Sequence, residues 1–175
     1  RHSARVQELS VALGRGMGLS KEELQALASG ALLHDIGKIG VPDSVLNRPG
    51  KLSADEWRLM QQHPEIGYSI IRSSPYLRDA AEIVRDHHEH YDGKGYLRGL
   101  KGEEICLGAR IFALVDAYDA IRSNRVYRDA RSHEVAVDEI CKNSGTQFDP
   151  GIVKVFMKYE GEMDRLWNQV TEPRR

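Results

Sequence analysis

The chain reads as a succession of amphipathic helices punctuated by glycine and proline. Val6, Leu9 and Leu13 repeat at the spacing of one helix face, and His2 falls on that face one turn earlier. Gly14, Gly16 and Gly18 end the segment. Ser20 followed by Glu23 is a capping-box pattern. It opens a second helix with a predicted apolar face of Leu24, Leu27, Leu32 and Leu33, which delivers His34-Asp35 at its end. Gly37, Gly40 and Pro42 then break regular structure. Ser53 with Glu56 starts another capped helix, expected to reach His63 just before Pro64.

Helical spacing resumes from Glu65 to about Ser73 and from Leu77 to His88, around the breaker Pro75. A glycine-rich, cationic loop follows, Asp92-Gly93-Lys94-Gly95-Tyr96-Leu97-Arg98-Gly99. Gly108 to Arg122 is a strongly apolar helix carrying Asp116 and Asp119, and its composition predicts a central position. Ser132 caps a helix to about Asn143, and Asp149-Pro150 starts one expected to end near Tyr159. Glu162 to Val170 reads as a last helix or a fraying tail. No segment alternates as a strand does. The expected fold is an all-α bundle: one domain over residues 1–160, then a C-terminal helix or tail over 161–175.

Composition narrows the function classes. The 175 residues carry 25 Lys+Arg against 26 Asp+Glu, a net charge of −1, so the field that captures long nucleic acids is missing. The longest uncharged stretch falls far short of the roughly 20 apolar residues of a membrane span. Two cysteines, Cys106 and Cys141, fit a reducing cytoplasm better than a disulfide framework. An opening without Met, already in helical register, suggests a piece of a longer protein.

Histidines and aspartates carry the chemistry. His2, His34-Asp35, His63, His87-His88 and Asp116 each fall on or at the end of a different predicted helix, so a bundle can turn them toward one centre. Neutral imidazole and carboxylate together suit Fe, Mn or Zn ions, and the scarcity of cysteine argues against a structural thiolate site. The adjacent His34-Asp35 is the sharpest element, because one carboxylate can bridge two metals while the neighbouring imidazole closes the shell of one. His90 and His133 are left as ordinary surface or hydrogen-bonded histidines. Two metals roughly 3.5–4 Å apart make hydroxide available near neutral pH and neutralise an attacked phosphate, which is what phosphodiester hydrolysis needs. Lys38, three residues beyond Asp35, is placed to orient a phosphate or the nucleophile. Arg125 and Arg128 form either a clamp for a second phosphate or a solvated surface pair.

These motifs resemble one family. His34-Asp35-Ile36-Gly37-Lys38, His63-Pro64, His87-His88-Glu89 with Asp92-Gly93-Lys94-Gly95-Tyr96, and Asp116-Ala117-Tyr118-Asp119-Ala120 look like the HD-GYP subgroup of the HD phosphohydrolase superfamily, in order and spacing over nearly the whole chain. The resemblance implies an HD-type helical bundle that hydrolyses cyclic di-GMP to pGpG or GMP. It implies two divalent metals, iron favoured and Mn, Zn or Ni acceptable, with a third undecided because the position of its glutamate precedes residue 1. The metal ligands it implies are His2, His34, Asp35, His63, His87, His88 and Asp116, with Asp35 as the bridge. Asp35 and Lys38 become the catalytic pair, and Lys38, Tyr96, Asp119, Arg125 and Arg128 the substrate contacts. An upstream sensory or receiver domain, and a homodimer or a GGDEF-type partner, belong to the same expectation. Two signatures depart from the family pattern: Gly-Tyr-Pro reads Gly95-Tyr96-Leu97, and Arg-Pro-Tyr reads Arg125-Val126-Tyr127. Both lose the fixed φ of proline. Two rivals stay open, a one-metal HD hydrolase of another nucleotide and a signalling module without turnover.

Overall fold

Apolar periodicity becomes helix throughout the computed structural model, which describes residues 2–124 and 130–171. Among the described residues the α-helices are α1 (His2–Gly16), α2 (Lys21–Leu33), α3 (Asp43–Leu46), α4 (Ala54–Met60), α5 (His63–Ile71), α6 (Arg78–Asp86), α7 (Leu107–Arg122), α8 (His133–Lys142) and α9 (Pro150–Thr171). Short 3-10 turns cover Ile36–Gly40, Pro75–Leu77 and Gly102–Glu104. No strand occurs among the described residues, and none of the helices is long and apolar enough to cross a membrane.

The apolar composition of α7 finds its reason in its place. Ile111, Phe112, Leu114, Val115 and Tyr118 are fully buried, because α1, α2, α6, α8 and α9 pack around this helix. Val6, Leu9 and Leu13 of α1, Leu27 and Ala31 of α2, Ile83 of α6 and Ile152, Phe156 and Met163 of α9 complete one core. Each large side chain buried in this way contributes about 1.5–3 kcal/mol. Both capping boxes form: Ser20 and Ser53 accept from the backbone N–H of Glu23 and Glu56, whose carboxylates bond back to the serine N–H. Ser132 caps α8 through the Val135 N–H.

Four expectations are corrected. Leu32 is largely exposed, because α2 turns Leu27, Gly30 and Ala31 inward instead. The helix begun at Ser53 stops at Met60, and His63 opens α5 with Pro64 in its first turn, where the missing N–H costs nothing. His87 and His88 lie just beyond the last residue of α6 rather than within it, with His87 as its C-cap. Finally, α9 runs unbroken through the boundary expected at 160/161. One exposed glycine, Gly161, costs a helix only about 1 kcal/mol. Burial of Phe156 on one side and Met163 on the other outweighs it.

One close approach fixes how the site is assembled. A Cβ at Gly37 would lie 1.8 Å from the His63 carbonyl oxygen and 2.5 Å from the Gly67 nitrogen, so only glycine lets the 36–40 turn rest directly on the backbone of α5.

Candidate metal centre

The chain converges its imidazoles and carboxylates into two triads. His63, His87 and His88 present ligand atoms within 4.8 Å of one another, and so do His2, His34 and Asp116. Asp35 lies between them. Its Oδ2 is 3.3 Å from His34 Nε2 and its Oδ1 is 3.6 Å from His63 Nε2, one oxygen toward each triad. Lys38, on the next turn, puts Nζ 2.7 Å from Asp35 Oδ2.

Four imidazoles are oriented from behind. His34 Nδ1 donates to the Ala31 carbonyl (2.8 Å), His63 Nδ1 to Met60 (2.7 Å) and His87 Nδ1 to Val84 (2.6 Å). A carbonyl only accepts, so each of these Nδ1 atoms carries the proton and each Nε2 faces the centre. His2 differs: its Nδ1 bonds a carboxylate, Asp119 Oδ2, at 2.8 Å. At the centre, acceptors therefore meet acceptors. His63 Nε2 and His87 Nε2 stand 3.4 Å apart, and His2 Nε2 is 3.4 Å from Asp116 Oδ1. Facing lone pairs repel unless a proton or cation lies between them.

Protonation preferences agree with that geometry. Burial drives the His87 pKa well below its ordinary value, and drives His88 to about 3 with neighbouring His63 adding to the effect. Burial also lowers His63. All three are neutral imidazoles, the form that binds metal. Burial pulls His34 down as well, but the hydrogen bond and charge of Asp35 outweigh it and leave the pKa raised. Conversely, burial pushes the Asp35 carboxyl up, yet His34 and Lys38 hold it well below the usual carboxylate range. The donor set is nitrogen and oxygen throughout and fits divalent transition metals. The Cys106 thiol, pushed up to about 12 by burial, belongs elsewhere, at the start of α7.

Tyr96 stacks on His88, ring centroids 4.7 Å apart at 25°, and Trp57 meets it edge-on at 5.8 Å. Its loop is anchored where proline is missing. Glu89, 2% exposed, accepts the backbone N–H groups of Arg98 (2.6 Å), Gly99 (3.1 Å) and Leu100 (3.1 Å). Arg98 also pairs with buried Asp86 at 2.9 Å. Gly95 packs on the His88 segment so closely that a Cβ would sit 2.5 Å from the His88 carbonyl. Neither Trp57 nor the anchoring role of Glu89 was foreseen; the adjacency of Glu89 to the histidine pair was the available signal.

Asp119, expected as a substrate contact, is committed to side chains of the fold. It is 1% exposed, and its oxygens are taken by Arg5 Nε and Nη2, His2 Nδ1 and Trp167 Nε1. It sits behind His2, on the Nδ1 side of the ring. Its pKa is lowered to about 2, because the hydrogen bonds and charges of His2 and Arg5 outweigh the burial that raises it. Arg5 and Trp167 are thereby part of the site's support, and neither stood out in the sequence. Arg125 and Arg128 lie outside the described residues. His133 has an ordinary structural role, bonding Tyr118 Oη (2.9 Å) and Glu160.

A family model described as HD domain matches residues 1–152. A cyclic di-GMP phosphodiesterase of Thermotoga maritima is 41% identical over 171 residues, 97% of this chain and 46% of that protein. A 3'3'-cGAMP-specific phosphodiesterase of Vibrio cholerae is 36% identical over 163 residues, 92% of this chain and 31% of its own. The chain spans about half the length, or less, of these curated relatives. Among solved structures, a cyclic GMP-AMP specific phosphodiesterase of V. cholerae superposes with a TM-score of 0.74 at 24% identity, covering 98% of this chain and 46% of that one. An HD domain of an L. monocytogenes phosphodiesterase in complex with cyclic di-AMP gives 0.68 at 16% identity, covering 99% and 92%. At such identities these two structures speak for the fold alone. With the two histidine and aspartate triads and the matching model together, the chain belongs to the HD-domain family, of the HD-GYP type.

Proposed function

We propose that this domain is a metal-dependent phosphodiesterase that opens a cyclic dinucleotide, with cyclic di-GMP as the preferred substrate and pGpG or GMP as product. Asp35 carries the reading: an ionised carboxylate with one oxygen toward each of two triads is the arrangement of a bridging ligand. His2, His34 and Asp116 would hold one ion, and His63, His87 and His88 the other. Bound there, two divalent ions would activate water and offset the charge of the attacked phosphate.

The remaining work falls to the protein's own side chains. In hydrolysis water adds to phosphorus, the P–O3′ bond breaks and the 3′ oxygen leaves with a proton. Lys38, beside Asp35, is placed to hold a non-bridging phosphate oxygen at the open edge of the centre. Tyr96 and Trp57 offer an aromatic wall next to His88. Arg125 and Arg128 remain the proposed seat for the second phosphate. The anchoring of the Tyr96 loop by Glu89 weighs against a module without turnover, because it supplies stiffness that Leu97 does not. A second triad of three histidines weighs against a one-metal hydrolase. Iron as the resident metal, a cytoplasmic setting and an upstream sensory or receiver module complete the proposal.

Metal-loaded protein incubated with cyclic di-GMP, with products separated by chromatography, tests the reading directly. Linear product together with two metals per chain is expected. Intact substrate at full metal loading would overturn it.

A further inference from the structure

A cleft of about 540 Å³ leaves the metal centre on the flank away from Tyr96, starting at His87, His88 and Asp116 and running along α7 toward α8. Its size is that of a small-molecule site. Its α7 side is lined by small apolar residues. Ala113, Ala117 and Ala120 recur on one face of α7, bracketing Asp116, and buried Phe148 closes the far side. With a rise of about 1.5 Å per residue, Ala120 lies roughly 6 Å along the helix from Asp116, so anything on this floor is within a ribose's reach of a phosphate at the metals.

The rim is specific in its chemistry. Glu139 of α8 lines the cleft; Lys142 Nζ is 3.9 Å from its carboxylate and lies closer to Asp138, at 2.6 Å. Asn143 donates its side-chain amide to the Glu139 carbonyl at 2.8 Å, which leaves its Oδ1 as a further acceptor on the rim. Gln147 stands beside them. Glu89, although it also lines the cleft, has both oxygens taken by the 98–100 backbone. An apolar floor edged by a carboxylate asks for a planar ring with adjacent N–H donors.

We infer that this cleft is a guanine pocket, in which Glu139 accepts the N1–H and N2–H of one base of the cyclic dinucleotide. The inference rests on the proposed function and deepens it by naming a residue that sets base preference. Guanine presents two neighbouring donors to a carboxylate, and its O6 is left for the Gln147 amide. Adenine presents an unprotonated N1 at the same place, where a carboxylate repels it. Alanine at 113, 117 and 120 keeps the floor low enough for a base to lie over α7.

The test compares kcat/KM of wild type, Glu139→Ala and Glu139→Gln on cyclic di-GMP, cyclic di-AMP and bis(p-nitrophenyl) phosphate, with metal content and melting temperature for each protein. Losing a charge-assisted pair should lower the ratio of cyclic di-GMP to small-diester efficiency by about ten- to hundredfold in Glu139→Ala. Glu139→Gln, nearly isosteric and so insensitive to folding effects, should shrink the preference for cyclic di-GMP over cyclic di-AMP, because an amide can donate to adenine N1 and accept from its amino group. If both variants keep the wild-type base preference while cyclic di-GMP is cleaved, the guanine pocket is wrong and the proposed function stands. If the small diester is cleaved and no cyclic dinucleotide is, the function itself is wrong and the pocket loses its occupant.

Discussion

Replacing Asp119 by asparagine separates a residue that supports the metal centre from one that grips substrate. Five donor atoms converge on its two oxygens: Arg5 Nε and Nη2, His2 Nδ1, Trp167 Nε1 and, at 3.4 Å, Ser123 Oγ. Asparagine offers a single oxygen and turns an NH2 group toward the rest, so Arg5, itself buried, loses its counter-charge. Breaking a buried ion pair from one side costs about 3–5 kcal/mol. The lower end applies, because Arg5 keeps Ser123 Oγ at 2.8 Å and the face of Trp167. At about 2–4 °C per kcal/mol for a domain of this size, a loss of about 3 kcal/mol lowers the melting temperature by about 6–12 °C. The His2 ring also loses the acceptor that fixes its tautomer, and outer partners of this kind are worth about 10–100-fold in metal affinity. Calorimetric titration of metal-free protein with Mn2+ should show two binding events in wild type. In Asp119→Asn one event should weaken by that factor while the other, at His63, His87 and His88, holds. A variant that binds both metals as wild type does, and only raises KM for cyclic di-GMP, would refute the argument and restore Asp119 to the substrate side.

Four further outcomes follow from the same geometry. Asp35→Asn should abolish hydrolysis and lower occupancy of both metals, because an amide brings no charge to offset two divalent ions; near wild-type turnover would remove the bridging role. His63→Ala and His88→Ala should each deplete one metal in preference to the other by elemental analysis, whereas equal depletion of both would dissolve the two-triad partition. Glu89→Gln leaves one acceptor for three backbone N–H groups, so it should cost about 1–3 kcal/mol in denaturant unfolding and raise KM while metal content stays at wild-type level. Arg125→Ala and Arg128→Ala should each weaken cyclic di-GMP binding about ten- to hundredfold; equal losses on bis(p-nitrophenyl) phosphate would sink the clamp.

Local chemistry was legible in the sequence, and partnership across the fold was not. Both capping boxes form as written because each spans four residues and needs nothing else. His2, His34, His63, His87, His88 and Asp116 could be singled out because ligands stand out against apolar helix faces. The surroundings of Asp119 were not legible, for the opposite reason. Its role depends on Arg5, 114 residues away, and Trp167, 48 residues away, and a motif carries no record of what packs behind it. One clue was available: Arg5 is a cation three residues after His2 on an otherwise apolar face, as Asp119 is three residues after Asp116. Packed side by side, α1 and α7 pair His2 with Asp116 and Arg5 with Asp119 in two successive rungs. The helix expected to end near Tyr159 runs on to Thr171 because Met163 in the core and Trp167 on Asp119 hold it, contacts that local spacing does not show.

The same rungs explain why the C-terminal helix belongs to the site. One triad is carried by α1, the end of α2 and α7; the other comes from the start of α5 and the residues after α6. Besides the packing of α2 and α7 on α6, the 34–40 turn links them through backbone: Gly37 lies against the His63 carbonyl with no room for a Cβ. The distance from Asp35 to His63 is therefore set by main chain on main chain, which does not adjust by rotamer. No comparable lock holds His2, on the first turn of α1. Its ring is held by Asp119, which in turn is tied to α9 through Trp167. The two triads thus differ in how they are held. The one built on α5 and α6 is fixed by the fold's backbone, and the one containing His2 is fixed by a buried charge network reaching the end of the chain.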